Sequence, residues 1–153
     1  MHREVSQRGL AVLLAGLAMF GPFSIDTMFP AFPAVEAEFG ASPVAMQQTL
    51  SIYLLAYAVM SLFHGALSDS FGRRGVILGG VGAFTLASVG CALAGSIEAL
   101  LVFRALQGLS AGAGLIVGRA IIRDLFDGTS AQKLMSNISL MFGIAPAIAP
   151  LIG

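Results

Sequence analysis

Two charged residues stand inside long apolar stretches, and they are the first candidates for chemistry. Asp26 interrupts the run that starts at Gly9, and Arg104 sits within the run that starts at Ala99. Ionisable side chains embedded in bilayer-length runs mark proton relays, ion paths or ligand contacts. A carboxyl can take and release a proton, and a guanidinium offers five donors in a planar fork. Gln107 lies one helical turn beyond Arg104 and can share its face. Simpler readings stand beside these. Asp26 can be a cap at a helix end next to Pro30. Arg104 can extend outward toward water, since Glu98 is six residues away.

A second polar group interrupts the chain at "HGALSDSFGRRG", His64 to Gly75. It carries Asp69, Arg73 and Arg74 among Gly65, Gly72 and Gly75. An interface loop needs bases, and glycines let two helices reverse closely. That demand does not extend to an acid four residues before Arg73.

The elements that must position these residues follow from run length. The chain is 153 residues, 57% hydrophobic and 10% charged, whereas a soluble domain carries roughly 25% charge. Five apolar runs are about twenty residues long, the length of a membrane-crossing helix. They span about 9–29, 44–67, 76–95, 99–118 and 134–153. The first exceeds a signal-peptide core of about 7–15 residues and holds an acid near its end, so it reads as a span rather than a leader. The fold class is therefore an all-α membrane protein of about five transmembrane helices.

Lys and Arg set the orientation. Arg3 and Arg8 precede the first run, Arg73 and Arg74 follow the second, and Arg119, Arg123 and Lys133 follow the fourth. Seven of the eight bases thus fall on one side. Basic loops stay in the cytoplasm, which puts the N-terminus and the Asp69–Arg74 segment inside. Asp26 is then about 27 Å up the first helix from Arg8, and Arg104 about 22 Å above Arg119. Both fall in the outer half of the bilayer.

Other features point to packing. Gly108, Gly112 and Gly114 are small residues of the kind that let membrane helices approach. Tyr53 and Tyr57, one turn apart, either pack or line a cavity. His64 reads as a solvated or interfacial residue. The single Cys91 excludes an intramolecular disulfide. No H-E-x-x-H, CxxC or G-x-S-x-G pattern is present, so neither an enzyme, a metal site nor a cofactor is expected. A net charge of zero argues against a nucleic-acid partner.

The segment "GALSDSFGRR", Gly65 to Arg74, resembles the major facilitator superfamily signature G-x-L-x-D-x-x-G-R-[RK] between helices two and three. "RALQG", Arg104 to Gly108, resembles the R-x-x-Q-G motif of helix four. "SIDTMFPAFP", Ser24 to Pro33, resembles the end of helix one in bacterial drug-resistance transporters of the Bcr/CflA type. "GRAIIRDLF" and "APAIAPLIG" are similar to the fourth loop and fifth helix of that group. The resemblance runs from about Leu10 to Gly153. Two departures are visible: Ala66 stands where the family often has proline, and the helix-five motif of Pro146, Pro150 and Gly153 reads A-P-x-x-G from Ala149 to Gly153 rather than G-P-x-x-G-G.

The resemblance implies the N-terminal half of a two-half helical bundle, cut short in its fifth helix and lacking its C-terminal half. It implies proton-coupled export of drug-like molecules across the bacterial inner membrane, with no cofactor. Asp26, Arg104 and Gln107 would serve proton and substrate. Gly65, Asp69, Gly72, Arg73 and Arg74 would form a cytoplasmic latch, Arg74 as a topology or lipid-headgroup charge. The alternatives are the same fold carrying a sugar or metabolite, or a truncated fragment that does not transport.

Overall fold

A computed structural model describes the backbone of residues 7–126 and 128–152, and the side chains of 9–126, 128–140 and 143. The described residues form helices and short connections. Helix α1 is Gln7–Asp26, α2 is Phe32–Phe39, α3 is Pro43–Phe71, α4 is Arg73–Ala92, α5 is Ile97–Leu125 and α6 is Gly128–Ile152. A single 3-10 turn, Phe29–Ala31, links α1 to α2. Gly9–Phe39, Pro43–Phe71, Arg73–Ala92 and Ile97–Leu125 are each long and apolar enough to cross a membrane.

Local chemistry explains the boundaries. Pro43 opens α3 in the first helical turn, where its missing N–H costs nothing. The Ser42 hydroxyl accepts from the Ala45 N–H at 3.2 Å, and Ser96 does the same for Ala99 at the start of α5. Each satisfies one orphan donor of a helix N-terminus. Gly40 ends α2 in the left-handed conformation, at φ 58°.

Helices run further than the apolar runs alone suggest. Helix α3 reaches Phe71, so Asp69 belongs to its last turn rather than to a loop. Helix α5 reaches Leu125 and carries Arg119, Arg123 and Asp124 on helical backbone. Polar residues at the interface can continue a helix because its backbone bonds are internal. The reversal between α3 and α4 is made by Gly72 alone, at φ 85°, a value that only glycine adopts readily.

Helix α5 is the core of the bundle. It packs against α1, α3 and α4, while α6 lies on α1. Its buried face is built from small residues, Gly108, Ala111, Gly112, Ala113, Gly114 and Gly118. A Cβ at Gly108 would strike the Tyr53 backbone carbonyl, and one at Gly114 the Leu17 carbonyl. Backbone-to-backbone packing of this kind gives membrane helices their van der Waals contact. Leu14, Ala18, Ile122 and Ile138 join α1, α5 and α6 in one apolar cluster. Tyr53, Phe84 and Ala111 join α3, α4 and α5 in another. Phe20 meets Phe84 edge-on at 5.3 Å, fastening α1 to α4.

Candidate functional site

Arg104 is only 2% exposed. Its Nη1 donates to the Gln107 Oε1 at 2.8 Å, to the Ser24 hydroxyl at 3.1 Å and, more weakly, to the Ser24 carbonyl at 3.4 Å. Its guanidinium lies 4.4 Å from the centre of the Tyr53 ring, within cation–π range. Gln107 carries the network onward. Its Nε2 donates to the Ser88 hydroxyl at 2.8 Å, and the Cys91 thiol points at its Oε1 at 3.6 Å. The Tyr53 hydroxyl donates to the Gly21 carbonyl at 3.1 Å. One buried cation therefore ties together α1, α3, α4 and α5.

The arrangement places Arg104 and Gln107 as neighbours, as the one-turn spacing predicts. It also exposes what sequence reasoning passed over. Ser24 and Ser88 are ordinary small polar residues in apolar helices, with no local pattern to single them out. Tyr53 packs, as one of its two readings had it, but it also donates a hydrogen bond and carries the cation. The one legible signal was the pair of tyrosines one turn apart on a largely apolar helix.

Asp26 is half-buried and is the last residue of α1. Capping does not account for it, because acids stabilise helix N-termini and not C-termini. It lines a cavity of about 290 Å³ together with Gly21, Ile25, Tyr53, Leu54 and Tyr57. Among the described residues Asp26 makes no ion pair, with Arg104 or any other base. The charge pair that similar depth suggests is thus not formed, although Ser24, two residues earlier, touches Arg104. Successive residues on a helix diverge by about 100°, so contact by Ser24 does not by itself bring the Asp26 carboxyl to the guanidinium.

The second cluster gathers at the other end of the bundle. The Arg73 Nη1 meets the Asp69 Oδ1 at 2.7 Å and also donates to the Ser68 hydroxyl. The Arg73 Nε donates to the Asp124 Oδ2 at 3.1 Å. Arg73 is the hub, and Asp124 is the member that sequence reasoning missed. Arg74 is exposed and takes no part. A Cβ at Gly65 or Gly72 would meet nothing within 4 Å. Close approach to a neighbouring helix among the described residues therefore explains neither glycine, and Gly72 is needed for its backbone conformation instead.

His64 corrects its reading as a solvated residue. It is 3% exposed, packed beside Gly112 of α5, because α3 continues as a helix past it. A larger open cleft of about 760 Å³ between α3, α4 and α5 has His64 and Ser110 as its polar lining. It holds none of the charged residues. Pro146 and Pro150 fall within α6, and Gly153 lies outside the described residues. Among the described residues no cluster of His, Cys, Asp or Glu is built to hold a metal ion.

Long apolar helices around a buried polar network define a multi-pass, all-helical membrane protein. The family model of the Major Facilitator Superfamily matches residues 10–153, and the chain belongs to that superfamily. It is 39% identical over 144 residues to the uncharacterised transporter YdgK of Bacillus subtilis, covering 94% of this chain and 36% of that one. It is 33% identical over 153 residues to a bicyclomycin resistance protein homolog of Haemophilus influenzae, covering 100% of this chain and 38% of that one. It is 33% identical over 144 residues to multidrug resistance protein D of Escherichia coli, covering 94% and 36%. The chain thus spans little more than a third of the length of these relatives. The resemblance to drug-resistance transporters of the Bcr/CflA type, read from the motifs, agrees with these matches.

Proposed function

We propose that this chain is the N-terminal helical part of a proton-coupled exporter of drug-like molecules in the bacterial inner membrane, with its N-terminus in the cytoplasm. The observation that carries the proposal is the Arg104 network beside the Asp26 cavity. A carboxyl at the wall of a small cavity, unpaired with any base among the described residues, is free to exchange a proton. A buried guanidinium a few side chains away keeps that end of the bundle polar without neutralising the acid. The names of the relatives supply the substrate class, small drug molecules.

In this mechanism Asp26 holds a proton while the cavity faces outward and gives it up when the cavity faces inward. Substrate would favour the state that lacks the proton, so each ligand drives the other across. The Arg73 cluster would bias the same equilibrium from the cytoplasmic side. Asp69 has unused acceptor capacity and is exposed, so a contact made only in the inward-closed state can form there. Proteins of this build alternate by rocking one helical unit against another around a midplane site.

The test is drug-induced proton release from the detergent-solubilised product of the complete gene. Release is expected from the parent and lost in Asp26→Asn, with membrane insertion unchanged. Release that persists undiminished in Asp26→Asn places the proton elsewhere. Failure of every drug, with release on addition of a sugar or another metabolite, favours the same fold with a different cargo.

A further inference from the structure

We infer that Tyr53 is a positioning residue whose ring holds Arg104 apart from Asp26. The functional meaning of this separation rests on the proposed proton-carrying role of Asp26. The geometry itself does not.

Among the described residues, Arg104 is a buried cation bonded only to neutral groups. Its three hydrogen bonds all leave from Nη1 and end on Ser24 and Gln107. Its Nε and Nη2 are buried and have no hydrogen-bond partner among the described residues. These two nitrogens form one edge of the guanidinium, the edge that grips a carboxylate with two parallel bonds. A buried guanidinium with that edge empty is costly, and a carboxylate within reach would ordinarily fill it. Asp26 is two residues beyond Ser24, which Arg104 already touches, and an arginine side chain is long and flexible. Yet the pair is not made.

Tyr53 is what stands at both places. Its ring lies against the guanidinium at 4.4 Å, and it also borders the cavity that Asp26 lines. The ring cannot swing aside. Tyr53 is fully buried, its hydroxyl is fixed to the Gly21 carbonyl, and its backbone is pressed against Gly108 so closely that no Cβ fits. Three helices therefore clamp one aromatic ring. The ring gives Arg104 a face to rest on, which replaces part of what the missing carboxylate would supply. A carboxylate locked to a guanidinium stays charged. One kept off the guanidinium is not committed to that ion pair, as the proposed role of Asp26 requires.

The experiment is NMR of the 153-residue chain in lipid nanodiscs with ¹⁵N-labelled arginine. The Arg104 Nε–H resonance is assigned by its loss in Arg104→Lys. In the parent it is expected upfield, shifted by the ring, and unmoved by Asp26→Asn. Tyr53→Phe keeps the ring and should keep the upfield position. Tyr53→Leu should send the resonance downfield, as the freed edge takes the carboxylate, and Asp26→Asn added to Tyr53→Leu should reverse that move. A parent resonance already downfield and moved by Asp26→Asn would overturn the inference, and this arm needs no change at Tyr53. A Tyr53→Leu resonance indifferent to Asp26→Asn would overturn it as well. Neither readout involves drug or proton transfer. Proton release that survives Asp26→Asn thus removes the proposed transport role and leaves the NMR result to stand or fall separately.

Discussion

Arg73 at the start of α4 donates to Asp124 at the end of α5, across 51 residues of sequence. The same guanidinium binds Asp69 on α3. Three helix ends are therefore held by one arginine. The motif that contains Asp69 and Arg73 is local, but its third member is not.

This relationship predicts a weak, salt-sensitive tether. The Asp124 and Asp69 side chains are 51% and 66% exposed, and exposed ion pairs contribute about 0–1 kcal/mol. Asp124→Asn should lower thermal stability by less than about 1 kcal/mol at low salt. The difference should vanish near 1 M salt, where screening is complete within about 3 Å. A loss that is large and independent of salt would mean that Asp124 is buried in the membrane-embedded protein.

Gly108 should be the least replaceable small residue on α5. An added methyl would meet the Tyr53 carbonyl, which is backbone and cannot turn away. Overpacking of a tight contact costs about 1–3 kcal/mol. Gly108→Ala should therefore lower the midpoint of detergent unfolding followed by circular dichroism. Gly79→Ala, whose Cβ would meet nothing within 4 Å, should leave it unchanged. Equal behaviour of the two variants would refute the close α3–α5 approach.

Arg104 separates stability from activity. It has no counter-charge among the described residues, so its removal orphans no buried acid there. A buried charge without a counter-charge carries a desolvation cost of several kcal/mol that an apolar side chain of similar size does not. Arg104→Met should fold at least as stably as the parent and abolish drug-induced proton release in the complete protein. Arg104→Lys should recover only part of it, because an ammonium lacks the planar fork. A collapse of helical content in Arg104→Met would show that the network is structural first.

Topology gives the broadest check. With native Cys91 replaced by alanine, single cysteines introduced at positions 36–40 should react with an impermeant thiol reagent from outside the cell. Cysteines at positions 70–75 should react only after the membrane is opened. The reverse pattern would invert the orientation of every helix and move Asp26 and Arg104 to the inner half of the bilayer.

The apolar runs, a glycine-bearing reversal within residues 64–75 and the shared face of Arg104 and Gln107 were legible in the sequence. Each depends on local information: run length against bilayer thickness, a backbone angle that suits glycine, and the 3.6-residue turn that stacks one side chain above another. The other partners of Arg104 were not legible. Ser24 and Tyr53 lie 80 and 51 residues away in the chain, and a serine in an apolar helix looks the same whether it bonds its own backbone or a neighbour's cation. Even the depth estimate, which set Asp26 and Arg104 at one level, could not say whether they meet. Depth follows from counting residues along each helix. Contact depends on how each helix is rotated about its axis, and packing set that rotation. Small faces at Gly108 and Gly114 drew α3 and α1 onto α5, Ser24 turned inward, and the ring of Tyr53 came to rest against the arginine.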